Sequence, residues 1–121
     1  MQQSGSSHPI TITPNPNRIR VVLGGFIVAE TTKALTLQEA NFPAVQYIPR
    51  EDVQMDLLDR TDRTSHCPYK GDASYYTVTA GGLVRDNGVW TYEHPKPAVS
   101  AIAGHLAFYP DKVDAIEELR D

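Results

Sequence analysis

The sequence predicts a mainly β domain, or a β-rich α+β one, built from compact antiparallel sheets. Three observations carry this. Nine prolines and eight glycines interrupt 121 residues, so regular elements must be short. Runs rich in Val, Ile, Thr and Tyr lie between the interruptions, and these residues suit a pleated, half-buried strand. Two of the runs are joined by a bare Gly-Gly pair, the mark of a tight hairpin. The length is that of one domain, and a hydrophobic content of 40% supplies a core without a metal or disulfide staple.

Residues 1–16 are expected to form a flexible tail ahead of a single domain over residues 17–121. Pro9, Pro14 and Pro16 block regular pairing there, and only Ile10–Thr13 suits a short edge strand. The domain opens with Arg18–Leu23, Gly24-Gly25 and Phe26–Glu30. A type I′ turn needs positive φ at both central residues, which glycine adopts freely. Ala34–Glu39 alternates Leu35 and Leu37 with Thr36 and Gln38 and reads as a third strand. Val45–Ile48, between Pro43 and Pro49, reads as a fourth. One short helix is predicted near residues 50–58: Pro49 opens it, Glu51 and Asp52 suit its first turn, and Val53 and Leu57 share a face.

Ser74–Ala80 is a further strand, turning at Gly81-Gly82. Asp86-Asn87-Gly88 reads as another hairpin turn, leading into Val89–Glu93, which Pro95 and Pro97 end. Ala101–Tyr109 is expected to be the last central strand. Asp111–Leu119 stays open: Val113, Ile116 and Leu119 suit a terminal helix, while Val113–Ile116 also suits an edge strand.

The formal net charge is -4, and the excess acid sits at the C-terminal end. No basic stripe is present to neutralise phosphates, so a nucleic-acid partner is not expected. No secretory pattern opens the chain and no apolar run approaches a membrane span. A cytoplasmic protein with no membrane partner is the expectation. Cys67 is the only cysteine, which excludes an internal disulfide and a zinc site with paired thiolates inside one chain. His8, His66, His94 and His105 show no ligand-pair spacing, so no metal and no cofactor is expected. His8, in the tail, is assigned no role.

The densest chemistry is Thr64–Tyr76, with a thiol, an imidazole, an ammonium and three phenols. Cys67 through Tyr76 match a Cys-Pro-x-Lys-Gly-x-Ala-x-Tyr-Tyr signature. Gly24-Gly25 and Glu39 match a Gly-Gly hairpin followed by a glutamate, and Tyr47–Val53 match Tyr-Ile-Pro-x-x-Asp-Val. Trp90, Tyr92, Pro95, Pro97 and Ile102–Tyr109 match the downstream motifs in order. Over about residues 18–116 the chain therefore resembles domain-of-unknown-function family 427. The resemblance implies a small β-tent-like domain, two antiparallel sheets leaning together. Zinc held by cysteine pairs, common among β-tent relatives, is not carried over, because only Cys67 is present. The family's nucleotidyltransferase-like label implies clustered carboxylates that hold a divalent metal against a triphosphate, and no Asp-x-Asp follows Gly24-Gly25.

Trp90 and Tyr92 share one face of a strand, while Tyr75 and Tyr76 point to opposite faces. The preferred reading is a small-molecule pocket, binding or catalytic. Its wall is Tyr47, Tyr76, Trp90 and Tyr92, and its polar end is Glu39, Arg50, Asp52, Cys67 and Lys70. The catalytic candidates are Cys67, Lys70, Glu39 and Asp52. Cys67 is read first as a buried packing residue and second as a nucleophile activated by a neighbouring cation. Lys70, beside Gly71, is read as presenting charge to an anionic or carbonyl-bearing ligand. The rival readings are a noncatalytic interaction module whose aromatics are only core, and a nucleotidyltransferase-like activity.

Overall fold

In the computed structural model, which describes residues 8–120, ten strands form three antiparallel sheets and no helical stretch exceeds six residues. Strand β1 is Ile10–Asn15, β2 Arg18–Leu23, β3 Phe26–Thr31, β4 Ala34–Glu39 and β5 Val45–Tyr47. Then come β6 Leu58–Cys67, β7 Gly71–Ala80, β8 Leu83–Thr91, β9 Leu106–Phe108 and β10 Ala115–Leu119. The sheets run β1-β4-β5, β10-β2-β3 and β6-β7-β8-β9. The mainly β class is thus correct, with three sheets where two were expected.

Alternation sets the first hairpin. In β2, Ile19, Val21 and Leu23 point inward and the residues between them do not, the period-two pattern of a half-buried strand. Gly24 and Gly25 take φ of 59° and 84°, and Leu23 faces Phe26 across them. Gly81 and Gly82 repeat this turn at 59° and 78°, with Ala80 facing Leu83. The two turns abut: a β-carbon on Gly24 would collide with the Ala80 carbonyl, and one on Gly81 with the Gly24 carbonyl. Only glycine permits both the backbone angle and the approach.

Several sequence expectations need correction. The expected tail contains β1, which extends the suggested edge strand to Asn15 and pairs with β4 from Ile10↔Glu39 to Asn15↔Ala34. Pro14 is tolerated because β1 is an edge strand whose other side needs no donor. Residues 1–7 lie outside the described residues. The helix near residues 50–58 is two short 3-10 turns, Arg50–Asp52 and Met55–Leu57. Between them Val53 bridges to Ala29 and Gln54 N–H donates to the Val28 carbonyl, which draws the backbone out of a helical path. Asp86-Asn87-Gly88 is not a hairpin turn but an irregularity inside β8, opposite Thr77, with Asn87 at φ 52°. The expected strand Ala101–Tyr109 shrinks to β9, an edge strand preceded by a 3-10 stretch over Pro97–Ile102. Of the alternatives for the C-terminal segment, the strand is present, as β10 paired with β2.

Two hydrophobic clusters result. The first gathers Ile19, Val21, Leu23, Val28, Tyr76, Val78, Val89 and Phe108. The second gathers Leu37, Tyr47, Ala73, Tyr75, Tyr92, Val99, Ile102 and Ala107, with Ile10, Ile12, Cys67, Trp90 and Tyr109 partly buried against it. Strand β7 feeds both, Tyr75 to the second and Tyr76 to the first, because successive side chains leave opposite faces. An isolated bridge between Ile48 and Leu106 ties the segment after β5 to β9.

Candidate functional site

The second cluster is not sealed. A cleft of about 210 Å³ opens where β4, β5, β7 and β8 converge. Tyr47, Tyr75, Trp90, Tyr92 and Tyr109 wall it, Phe42 and Pro43 stand at one side, and Glu39 and Lys70 form its polar end.

Glu39 closes β4, and Lys70 lies in the turn between β6 and β7. That turn is fixed by Lys70 N–H donating to the Cys67 carbonyl at 3.3 Å and by Lys96 N–H donating to the Lys70 carbonyl at 2.9 Å. Gly71, at φ 113°, lets the chain re-enter β7 directly behind Lys70. Lys70 is only 8% exposed, so its ammonium needs a partner. It donates to one carboxylate oxygen of Glu39, and its nitrogen lies 6.0 Å from the Tyr92 ring centre. The other Glu39 oxygen accepts from His8 Nε2 at 2.6 Å. Burial works to raise the Glu39 pKa, but the hydrogen bonds and charges of Lys70 and His8 outweigh it and hold the carboxyl below its usual range. His8 also stacks on Tyr69, with ring centres 3.7 Å apart and planes 11° apart. His8, which the sequence reading assigned no role, is thus tied to the polar end of the cleft.

The aromatic wall is internally bonded. Trp90 Nε1–H donates to the Tyr47 hydroxyl at 3.1 Å, and the two rings meet edge to face at 6.2 Å. Tyr109 packs on the other ring of this group, 4.4 Å from Trp90. Tyr75 shares a 2.7 Å hydrogen bond with Ser65, and the Arg63 guanidinium sits 4.9 Å over its ring. These contacts separate the phenols electrostatically. Burial pushes Tyr47 up to about 12 and Tyr109 up to about 12. Burial also opposes ionisation of Tyr75, but hydrogen bonds from Ser65, Tyr109 and Arg63 outweigh it and lower its pKa. Tyr92 is raised, chiefly by burial. The residue is 6% exposed, and among the described residues its hydroxyl has no hydrogen-bond partner.

Of the residues singled out from the sequence, Glu39, Tyr47, Lys70, Trp90 and Tyr92 line the cleft. Cys67 is half-buried against the second cluster, behind the wall. Three candidates lie elsewhere. Tyr76 belongs to the first cluster and accepts a hydrogen bond from Arg50 at 3.3 Å. Asp52 accepts from the Thr31 hydroxyl at 2.7 Å. Sequence reasoning missed Tyr75, Tyr109, Phe42 and His8. The signal for Tyr75 is register: it faces Trp90 directly across β7 and β8, so the two side chains leave the same face. Tyr76, the neighbour expected from the sequence, leaves the opposite face into the first cluster. His66 is paired with Asp72 at 2.7 Å on the exposed surface, away from the cleft.

Among the described residues no three His, Cys, Asp or Glu side chains gather in a way that would hold a metal ion. No helix is long and apolar enough to cross a membrane. A family model described as a domain of unknown function (DUF427) matches residues 11–119. No curated protein matches the chain.

Proposed function

The chain belongs to the DUF427 family, whose description assigns no activity, and from the cleft itself we propose that it binds a small molecule bearing a hydrogen-bond acceptor such as a carbonyl or carboxylate. The observation that carries this is Tyr92, a buried residue on the cleft wall whose hydroxyl has no hydrogen-bond partner among the described residues. Buried polar groups are nearly always bonded, and leaving one unpaired costs about 1–3 kcal/mol. A ligand oxygen in the cleft removes that cost. Lys70 supports the same reading, since an ammonium carries three donors and Glu39 takes one. Glu39 also cancels the Lys70 charge, so recognition is by hydrogen bonding against an aromatic wall rather than by net attraction. The single thiol, half-buried and unpaired, agrees with a reducing, cytoplasmic setting.

A catalytic version of this site would rest on Tyr75, whose hydroxyl meets Ser65 at 2.7 Å and whose ring lies under the Arg63 guanidinium. Against the interaction-module reading, Trp90 and Lys70 converge on a concave space, although Tyr76 does not join them.

The test is a thermal-shift screen of small acids, amides and ketones on the wild type and Tyr92→Phe. Acceptor-bearing compounds are expected to raise the wild-type Tm and to lose most of that shift in Tyr92→Phe. Equal shifts in both proteins, or hits confined to compounds without an acceptor, would sink the proposal.

A further inference from the structure

A second cavity, of about 290 Å³, adjoins the cleft. Val45 and Trp90 line both. Its other walls include Val21, Ile48, Phe108 and Ile116, so it differs sharply from the polar cleft. Gln46 is the one lining residue with an amide, and its oxygen already accepts from Asn15 at 3.1 Å and Thr36 at 2.9 Å. The indole N–H of Trp90 is likewise engaged, by Tyr47. The chamber therefore offers a ligand mostly apolar surface, with the Gln46 amide N–H groups as its main polar feature.

Size points the same way. The cleft alone, at about 210 Å³, falls short of the roughly 300–1,000 Å³ common for small-ligand sites. The two spaces together reach that range. Resting on the cleft reading above, we infer that the ligand is amphipathic: an acceptor-bearing head lies between Tyr92 and Lys70, and an apolar tail passes Val45 and Trp90 into the chamber of Val21, Ile48, Phe108 and Ile116. The substrate class is then a medium-chain carboxylic acid or a derivative of one. Ile116, 37% exposed on β10, also lines the chamber, and a longer tail passing it would emerge into solvent.

The experiment is a titration of the full chain with butanoate, hexanoate and octanoate, read by the emission of Trp90, the only tryptophan. Burying a methylene tightens binding roughly fourfold, so affinity is expected to climb steeply along the series. Ala44→Phe, which fills the chamber from an exposed position, should flatten the climb while leaving butanoate unchanged. Ile116→Glu should weaken octanoate selectively. Near-ultraviolet circular dichroism checks that both variants are folded. Affinity that stays level from butanoate to octanoate overturns the apolar chamber and leaves the cleft reading standing. Octanol binding as tightly as octanoate, with no loss in Tyr92→Phe, overturns the bridging of the two spaces. No saturable change with any acid overturns the amphipathic acid, and the cleft reading is then decided by the amides and ketones of the screen above.

Discussion

Lys70 and Tyr92 both line the cleft and place opposite demands on the fold. Lys70 is buried with its counter-ion: the side chains of Lys70 and Glu39 are 10% and 16% exposed. Losing one member strands the other. The sequence reading had Lys70 present its charge to a ligand, whereas the structure engages that charge with Glu39. Lys70→Ala should cost about 2 kcal/mol in urea denaturation, and Glu39→Leu/Lys70→Met should recover part of it, because removing both charges leaves only His8 without its partner. Tyr92→Phe should leave stability level or raise it by up to about 1 kcal/mol, and a clear loss would reveal a bonded hydroxyl. Glu39 also sets a pH dependence. Its folded pKa lies below the ordinary value of 4.5, so its stabilisation is present above the unfolded pKa and is lost as pH falls through the folded one. The stability advantage of wild type over Glu39→Gln should therefore be full near neutral pH and shrink in the acid range below about 4. An advantage that held constant or grew on acidification would show that the carboxyl is not stabilised in its charged form.

At the scale of elements, the two glycine hairpins make the sharpest case. Gly24 and Gly81 combine positive φ with backbone contact, whereas Gly25 and Gly82 have positive φ and open space around them. Gly25→Ala should cost about 1–2 kcal/mol for the left-handed backbone alone. Gly24→Ala should cost about 1–3 kcal/mol more, because the two turns must move apart. Thermal denaturation of the pair decides it, and equal losses would mean that the turns do not press on each other. These hairpins were legible because turn chemistry is local. Strand β6 was not, because of its ten residues only Leu58 is buried, so hydrophobic alternation has nothing to mark. Its charged outer face is what protects an edge strand, and only pairing with β7 reveals it. Asp86-Asn87-Gly88 misled for a related reason. Asparagine at positive φ serves a bulge as well as a turn, and what decides is the partner: Thr61 Oγ1 donates to Asn87 Oδ1 at 2.6 Å.

For the whole molecule, the division into two clusters explains why the site was only half legible. Residues such as Trp90 and Tyr92 could be assigned one face from parity, but which tyrosine of β7 joins them depends on register, a long-range property. His8 depends on β1 bringing the start of the chain back along β4, with Ile10 opposite Glu39. The same division makes a prediction. Strand β1 contributes Ile10 and Ile12 to the second cluster and no residue to the first. Removing residues 1–15 should therefore leave β2, β3 and β6 through β8 assembled around Val21, Val78 and Val89, with a β-type far-ultraviolet spectrum. It should expose β4 as a new edge, free Glu39 from His8 and loosen the side of the cleft that carries Leu37. Trp90, partly buried in that cluster, reports the change: its emission should shift to longer wavelength, and the response to acceptor-bearing ligands should weaken. Unchanged emission would mean that β1 does not support the cleft. Complete loss of the β spectrum would mean that the clusters melt as one unit, coupled through β7, whose opposite faces pack into both.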